Sequence, residues 1–226
     1  VTLKDAVPLR ARIYARERQR DWERTRSLRR GMRRLEEAPS GSEGTWQDLI
    51  AGWNSGWAAA ASYLSALADA VLSDPGQLSI LECGSGLTTL VLALLARSTG
   101  ASVLTLEHDP EWYAVIKREL RRFHLDADVA LTPLRSYGAF EWYSVAATSL
   151  PEVSLVVCDG PPNSARGGRY GLVPVVGTRL ASGCTILLDD ATRPSERRTL
   201  ERWASERGIE FELRDAERPF AVAKVP

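Results

Sequence analysis

The sequence predicts an α/β fold. Seven strands form a mostly parallel sheet with helices on both faces, an antiparallel hairpin closes the C-terminus, and a helical extension precedes the sheet. Three observations carry this. From Leu78 onward, short β-rich runs alternate with amphipathic helical segments, a pattern that requires crossovers between parallel strands. The last two runs are separated only by residues 215–219, too few for a crossover, so they pair antiparallel at one edge. Residues 4–37 read as one charged helix that ends at the breaker cluster Ala38-Pro39-Ser40-Gly41-Ser42.

The N-terminal segment carries about twice as many basic as acidic side chains. Its thin apolar stripe, Leu28, Met32 and Leu35, has helical spacing. We read residues 1–42 as an arm and 43–226 as the main domain. The arm is expected to pack on that domain or to pair with a second copy of the chain. A nucleic-acid contact is a weaker alternative, because aromatic residues are not interleaved with the basic ones. Residues 46–71 form a second helical stretch. Strands are expected at 78–83, 102–107, 127–132, 153–158, 184–188, 210–213 and 221–225. Helices are expected at 88–97, 111–123, 140–148, 170–180 and 194–207. Trp22 and Trp203 read as packing residues.

Composition narrows the function. Lys+Arg and Asp+Glu are both 29, so no net field draws the chain to nucleic acid or to a membrane. Cys83, Cys158 and Cys184 sit at the ends or starts of apolar runs without a CxxC pair, and are expected as buried thiols in a reduced compartment. With only His108 and His124, a histidine-based metal site or triad is not expected. No apolar run approaches the ~20 residues of a membrane span, so a cytoplasmic protein is expected.

The chemistry begins at Ile80-Leu81-Glu82-Cys83-Gly84-Ser85-Gly86, a buried strand running into a glycine turn and then a helix. Gly84 and Gly86 let backbone approach a ligand at the positive end of that helix. A second strand ends at Glu107, where a carboxylate can accept hydrogen bonds from both hydroxyls of a ribose. The unit therefore suits an adenosine-bearing ligand. A dinucleotide would need a third small residue where Thr89 stands, and Glu82 is misplaced beside a pyrophosphate. A carboxylate there suits a cationic ligand.

Glu82-Cys83-Gly84-Ser85-Gly86, Glu107 and the closing hairpin resemble the class I S-adenosylmethionine-dependent methyltransferases, over residues 78–225. The resemblance implies a Rossmann-like fold with S-adenosylmethionine as cofactor. It places Gly84, Ser85 and Gly86 against the cofactor, Glu82 near its methionine end, Glu107 on its ribose and His108 beside its adenine. The loop Pro133-Leu134-Arg135-Ser136-Tyr137 would cover the adenine, with Leu134 and Ser136 as contacts.

A second constellation stands at two further strand ends, where ligands of open parallel sheets bind: Asp159 in Cys158-Asp159-Gly160-Pro161-Pro162, and Asp189-Asp190. Adjacent carboxylates repel unless neutralised, and a hard cation such as Mg²⁺ is one candidate. The alternative roles are structural: Asp159 in the turn and Asp190 as a helix cap. The arrangement resembles the cation-dependent O-methyltransferases, which implies Asp159, Asp189 and Asp190 as metal ligands. The Asp-Gly-Pro-Pro loop departs from them and resembles a poorly characterised bacterial group. Asp159 is also expected beside the cofactor, and as the catalytic base if no metal binds. Trp53, Asn54 and Trp57 before the first strand, and Arg166, Arg169 and Tyr170 after the fourth, are candidates for the substrate wall; a mobile surface loop is the alternative for the latter set. Tyr137, Phe140, Trp142 and Tyr143 read as core packing of their helix, with an apolar wall of the substrate site as the alternative. The expected function is methyl transfer to a small-molecule hydroxyl. The alternatives are a nitrogen of nucleic acid or protein, and a cofactor-binding module without catalysis.

Overall fold

The computed structural model describes residues 9–53, 58–74 and 78–226, with side chains from residue 18 onward. In chain order the elements are α1 (Leu9–Glu37), α2 (Glu43–Gly52), α3 (Ala61–Leu72), β1 (Ser79–Cys83), α4 (Leu87–Thr99), β2 (Ser102–Glu107), α5 (Pro110–Arg122) and β3 (Asp128–Leu131). They continue as β4 (Leu134–Ser136), β5 (Glu141–Tyr143), β6 (Val153–Cys158), α6 (Leu172–Val176), β7 (Leu180–Leu188), α7 (Pro194–Arg207), β8 (Glu210–Arg214) and β9 (Phe220–Lys224). The main sheet has seven strands in the order β3-β2-β1-β6-β7-β9-β8, and β9 runs antiparallel to both its neighbours.

Side chains of the central strands alternate between two cores, as strand geometry requires. Leu155 and Val157 of β6 join Ile80 and Leu187 beneath α1 to α5. Val156 and Cys158 join Leu81, Ile186 and Leu188 on the face covered by β5, α6 and α7. Helix α4 is buried almost throughout from Leu87 to Leu95, because it lies between the sheet and α1 and α3. All three cysteines are buried free thiols.

Three elements differ from expectation. Residues 140–148 are not a helix: β5 pairs antiparallel with β4 as a separate two-stranded ribbon. The segment is rich in aromatic residues that suit a pleated surface, and Gly138, at φ +83°, turns the chain between the two strands. The helix expected over 170–180 shrinks to α6, flanked by 3₁₀ turns. Gly171 packs so tightly on Trp142 that a Cβ there would lie 2.7 Å from its Cβ, and β7 already begins at Leu180. The stretch 46–71 is two helices, α2 and α3. Trp22 is also no packing residue, being 59% exposed, whereas Trp203 is fully buried and donates its indole N–H to the Tyr170 carbonyl.

Helix α1 folds back on α2 and α4. Its stripe Leu28, Met32 and Leu35 is buried in the first core, and Asp48 of α2 binds Arg30 (2.6 Å) and Arg34 (2.7 Å). Leu35→Ala removes a fully buried side chain there, and is expected to destabilise the protein by about 3 kcal/mol. A single urea transition shifted to lower midpoint would bear this out. A separate early transition would show that the helix unfolds on its own.

Candidate active site

The first strand and the fourth parallel strand meet at their carboxyl ends. The Cys83 carbonyl accepts the backbone N–H groups of both Asp159 (3.0 Å) and Gly160 (2.6 Å). Gly84 adopts φ +88°, and a Cβ on it would stand 2.8 Å from the Gly160 nitrogen. Only glycine fits that crossing. Beyond it, a Cβ on Gly86 would meet nothing closer than 4.0 Å, so the turn is open where α4 begins and points its free N–H groups outward.

Glu82 lies beneath this turn and is fully buried. Its Oε2 accepts the hydroxyls of Thr89 (2.8 Å) and Thr105 (2.7 Å). Thr105 is its register partner on β2. Thr89, which stands where a dinucleotide site would have a small residue, also accepts the Gly86 N–H (2.9 Å) and so ties the turn to the acid. Glu82 Oε1 is buried without a partner. Burial pushes the Glu82 carboxyl up to about 7, with the nearby hydroxyls of Thr88, Thr105 and Thr89 opposing. An unpartnered buried acceptor beside an open glycine turn and a helix N-terminus suits a ligand that carries a cationic group.

Glu107 ends β2 with both oxygens engaged. Oε2 accepts the Ser85 N–H (3.0 Å) and hydroxyl (2.5 Å), and Oε1 accepts the N–H groups of His108 (2.7 Å) and Asp109 (2.8 Å). Burial alone would raise its pKa, but these bonds and the His108 ring hold it below the usual carboxylate range. His108 Nδ1 stands 3.1 Å from Glu107 Oε1, which raises the imidazole pKa, and its ring meets Tyr143 edge to face. Trp112 donates its indole N–H to the Ser85 carbonyl (2.7 Å).

Asp159, Asp189 and Asp190 do converge: one carboxylate oxygen from each lies within 4.8 Å of the others. Arginines interleave them. Arg169, only 3% exposed, donates to the Asp159 carbonyl (2.6 Å), to Asp159 Oδ1 (2.8 Å), to Asp190 Oδ2 (3.4 Å) and to the Asp189 carbonyl. Arg218 binds Asp189 Oδ2 (2.9 Å), and Arg193 binds Asp190 Oδ2 (2.8 Å). Asp189 Oδ1 accepts the Asp190 N–H (2.8 Å). Burial, with Asp159 close by, pushes Asp189 up to about 6, while Arg218 opposes it. As arranged, these residues do not fit a divalent ion. Their three negative charges are matched by three guanidinium groups, and a metal would have to displace a buried arginine that has little access to water.

The remaining expected site residues divide. Arg169 and Tyr170 do not form a substrate wall: both are buried, the first clamping the acids and the second donating its hydroxyl to Glu206 (2.6 Å) on α7. Arg166 stays exposed and donates to Ser136 Oγ (2.9 Å), which joins two segments that sequence placed separately. Leu134 is half-buried in the β4–β5 ribbon. Trp53 is buried edge-on to Trp112, while Asn54 and Trp57 lie outside the described residues. Sequence reading missed Thr105, Trp112 and Arg218, and Tyr143, expected as core or apolar wall, is fully buried. Only Thr105, opposite Glu82 in a plausible register, left any local signal.

Because the folded pKa of Glu82, about 7, exceeds its unfolded value near 4.5, the folded state binds the extra proton between those values. Its contribution is full below pH 4.5 and is lost as pH rises through 7. Glu82→Gln removes that loss. Urea titrations at pH 5 and pH 8 should show the variant gaining on wild type by about 3 kcal/mol across the interval. A pH-independent difference would show that Glu82 is not perturbed.

Residues 81–191 match a family described as "Methyltransferase domain". No curated protein sequence matches the chain. Among solved structures, an O-methyltransferase from Bacillus cereus in complex with S-adenosylhomocysteine superposes with a TM-score of 0.58 at 16% identity, over 85% of this chain and 95% of that one. A precorrin-6y C5,15-methyltransferase from Geobacter metallireducens gives 0.54 at 16% identity, over 76% and 90%. An S-adenosylhomocysteine-bound methyltransferase from Podospora anserina gives 0.53 at 16% identity, over 97% and 98%. The fold is thus shared by enzymes with different acceptors, while the sequence match covers both the glycine turn and the Asp189-Asp190 strand end. Over residues 81–191, just under half its length, the chain is similar to that methyltransferase-domain family, and its fold is one that S-adenosylhomocysteine-bound methyltransferases share.

Proposed function

We propose that this methyltransferase acts on a hydroxyl oxygen of a small molecule, with Asp159 as the base. The observation that carries this is the state of that side chain. Asp159 is one-third exposed, whereas Asp189 and Asp190 are largely buried, and it follows directly on the crossing of the two loops. Its Oδ1 is held by Arg169, while its Oδ2 takes no hydrogen bond among the described residues and is open to accept a proton.

Bound S-adenosylmethionine supplies a methyl group already activated on a sulfonium. The chain's own residues must then hold, align and deprotonate. Glu82 Oε1 would accept from the cofactor's amino group, which favours the ionised carboxylate. Glu107 would take the ribose hydroxyls, with the Ser85 hydroxyl giving up its place on Oε2. His108, against Tyr143, would border the adenine, with Leu134 and Ser136 across from it. Asp159 would take the acceptor's proton as the oxygen attacks. Arg166, which is exposed beside Ser136, remains the candidate for a substrate contact. A small-molecule acceptor agrees with the absence of net charge, and Gly160 and Asn163 interrupt the Asp-Pro-Pro-aromatic pattern that would suit amino groups of nucleic acid.

Asp159→Asn keeps the shape and removes the base. Calorimetry should show S-adenosylmethionine affinity within about threefold of wild type, while release of S-adenosylhomocysteine with a panel of phenols, catechols and sugars falls about 10²–10⁴-fold. An undiminished rate would remove Asp159 as the base, and turnover of amines alone would replace the oxygen acceptor.

A further inference from the structure

Three acids converge where sequence reading expected a metal, yet a side chain already stands among them. Arg169 is almost wholly enclosed, and its two terminal nitrogens reach both strand ends: one donates to the Asp189 carbonyl, the other to Asp159 and Asp190. Arg218 and Arg193, both partly exposed, complete the balance on Asp189 and Asp190. A planar guanidinium presents several donors in a fixed fork, so it can fix a carboxylate's orientation as well as its charge.

We propose that Arg169 takes the place of a divalent cation: it is a built-in counter-ion that keeps Asp159 aimed at the crevice, and methyl transfer in this protein needs no metal. The proposal rests on the reading of Asp159 as base. Arg169 is a positioning residue in this scheme, since it acts through Asp159. The consequence is a site that rejects divalent ions until the arginine is removed, which a purely structural role would not require.

Mn²⁺ titration followed by electron paramagnetic resonance tests this without knowledge of the acceptor. Wild type should show no bound Mn²⁺ up to about millimolar concentration, where oxygen-ligand sites of comparable charge are occupied. Arg169→Met, checked for folding by circular dichroism, should bind Mn²⁺ at least about tenfold more tightly, and adding Asp159→Asn should abolish that site. Wild-type binding at micromolar Mn²⁺ that disappears in Asp159→Asn overturns the proposal. So does a folded Arg169→Met that gains no site. Should Arg169→Met not fold, the wild-type titration with Asp159→Asn decides alone. S-Adenosylmethionine calorimetry on the same wild-type sample separates the two ideas. Cofactor binding together with Asp159-dependent Mn²⁺ binding sinks only the arginine's role. Loss of cofactor binding sinks the functional reading.

Discussion

Two loops cross at the carboxyl ends of β1 and β6, and most of the site's geometry depends on how closely they do so. The Cys83 carbonyl takes two N–H groups from the Asp159-Gly160 peptides, and the Gly84 backbone packs against Gly160 with no room for a side chain. A Cβ at Gly160 would collide with the Tyr143 hydroxyl, so the β4–β5 ribbon also rests on this point. One contact therefore sets the distance between the glycine turn proposed to hold the cofactor and the Asp159 carboxylate proposed to face the acceptor. Transfer between two ligands is sensitive to such a distance, since misplacement of reacting groups by about 1 Å can lower rates a hundredfold. A crossing made of backbone holds its spacing better than one made of long side chains.

Around that crossing the charges are arranged in two different ways. Glu82 is buried with hydroxyl partners only, so it is held near neutrality and has an acceptor to spare. The Asp159 cluster is buried with arginines, so its charge is balanced in place. The first arrangement suits an acid that awaits a cationic ligand. The second suits acids whose counter-ions are permanent. A carboxylate thus takes two roles, set by the neighbours that the sheet brings to it.

Much of this was legible along the chain because it is local. Strand and helix alternation, the glycine turn, the second-strand acid and the short final connection each lie within a few residues, and each imposes its own backbone geometry. The family match over residues 81–191 agrees with that reading. The errors also have local causes. Residues 140–148 have helical spacing of apolar groups, but Trp142 and Tyr143 are adjacent and both fully buried, which a strand covered on both faces permits. Residues 170–180 are apolar enough for a longer helix, yet the tight approach of Gly171 to Trp142 confines it.

By itself, the sequence determined the α/β sheet, the glycine turn after the first strand and the convergence of acids at the strand ends, because periodicity and turn chemistry act over short spans. Arg193 is a local partner of Asp190, three residues on, but the other partners of those acids were decided by tertiary structure. Arg169 lies 10 residues from Asp159 and 21 from Asp190, and Arg218 lies 29 from Asp189. No spacing rule links such residues; the parallel pairing of β6 with β7 and the antiparallel pairing of β9 with β7 bring them together. The neutralising charge that the acids require was foreseeable. That it comes from one buried and two partly exposed arginines followed from the packing.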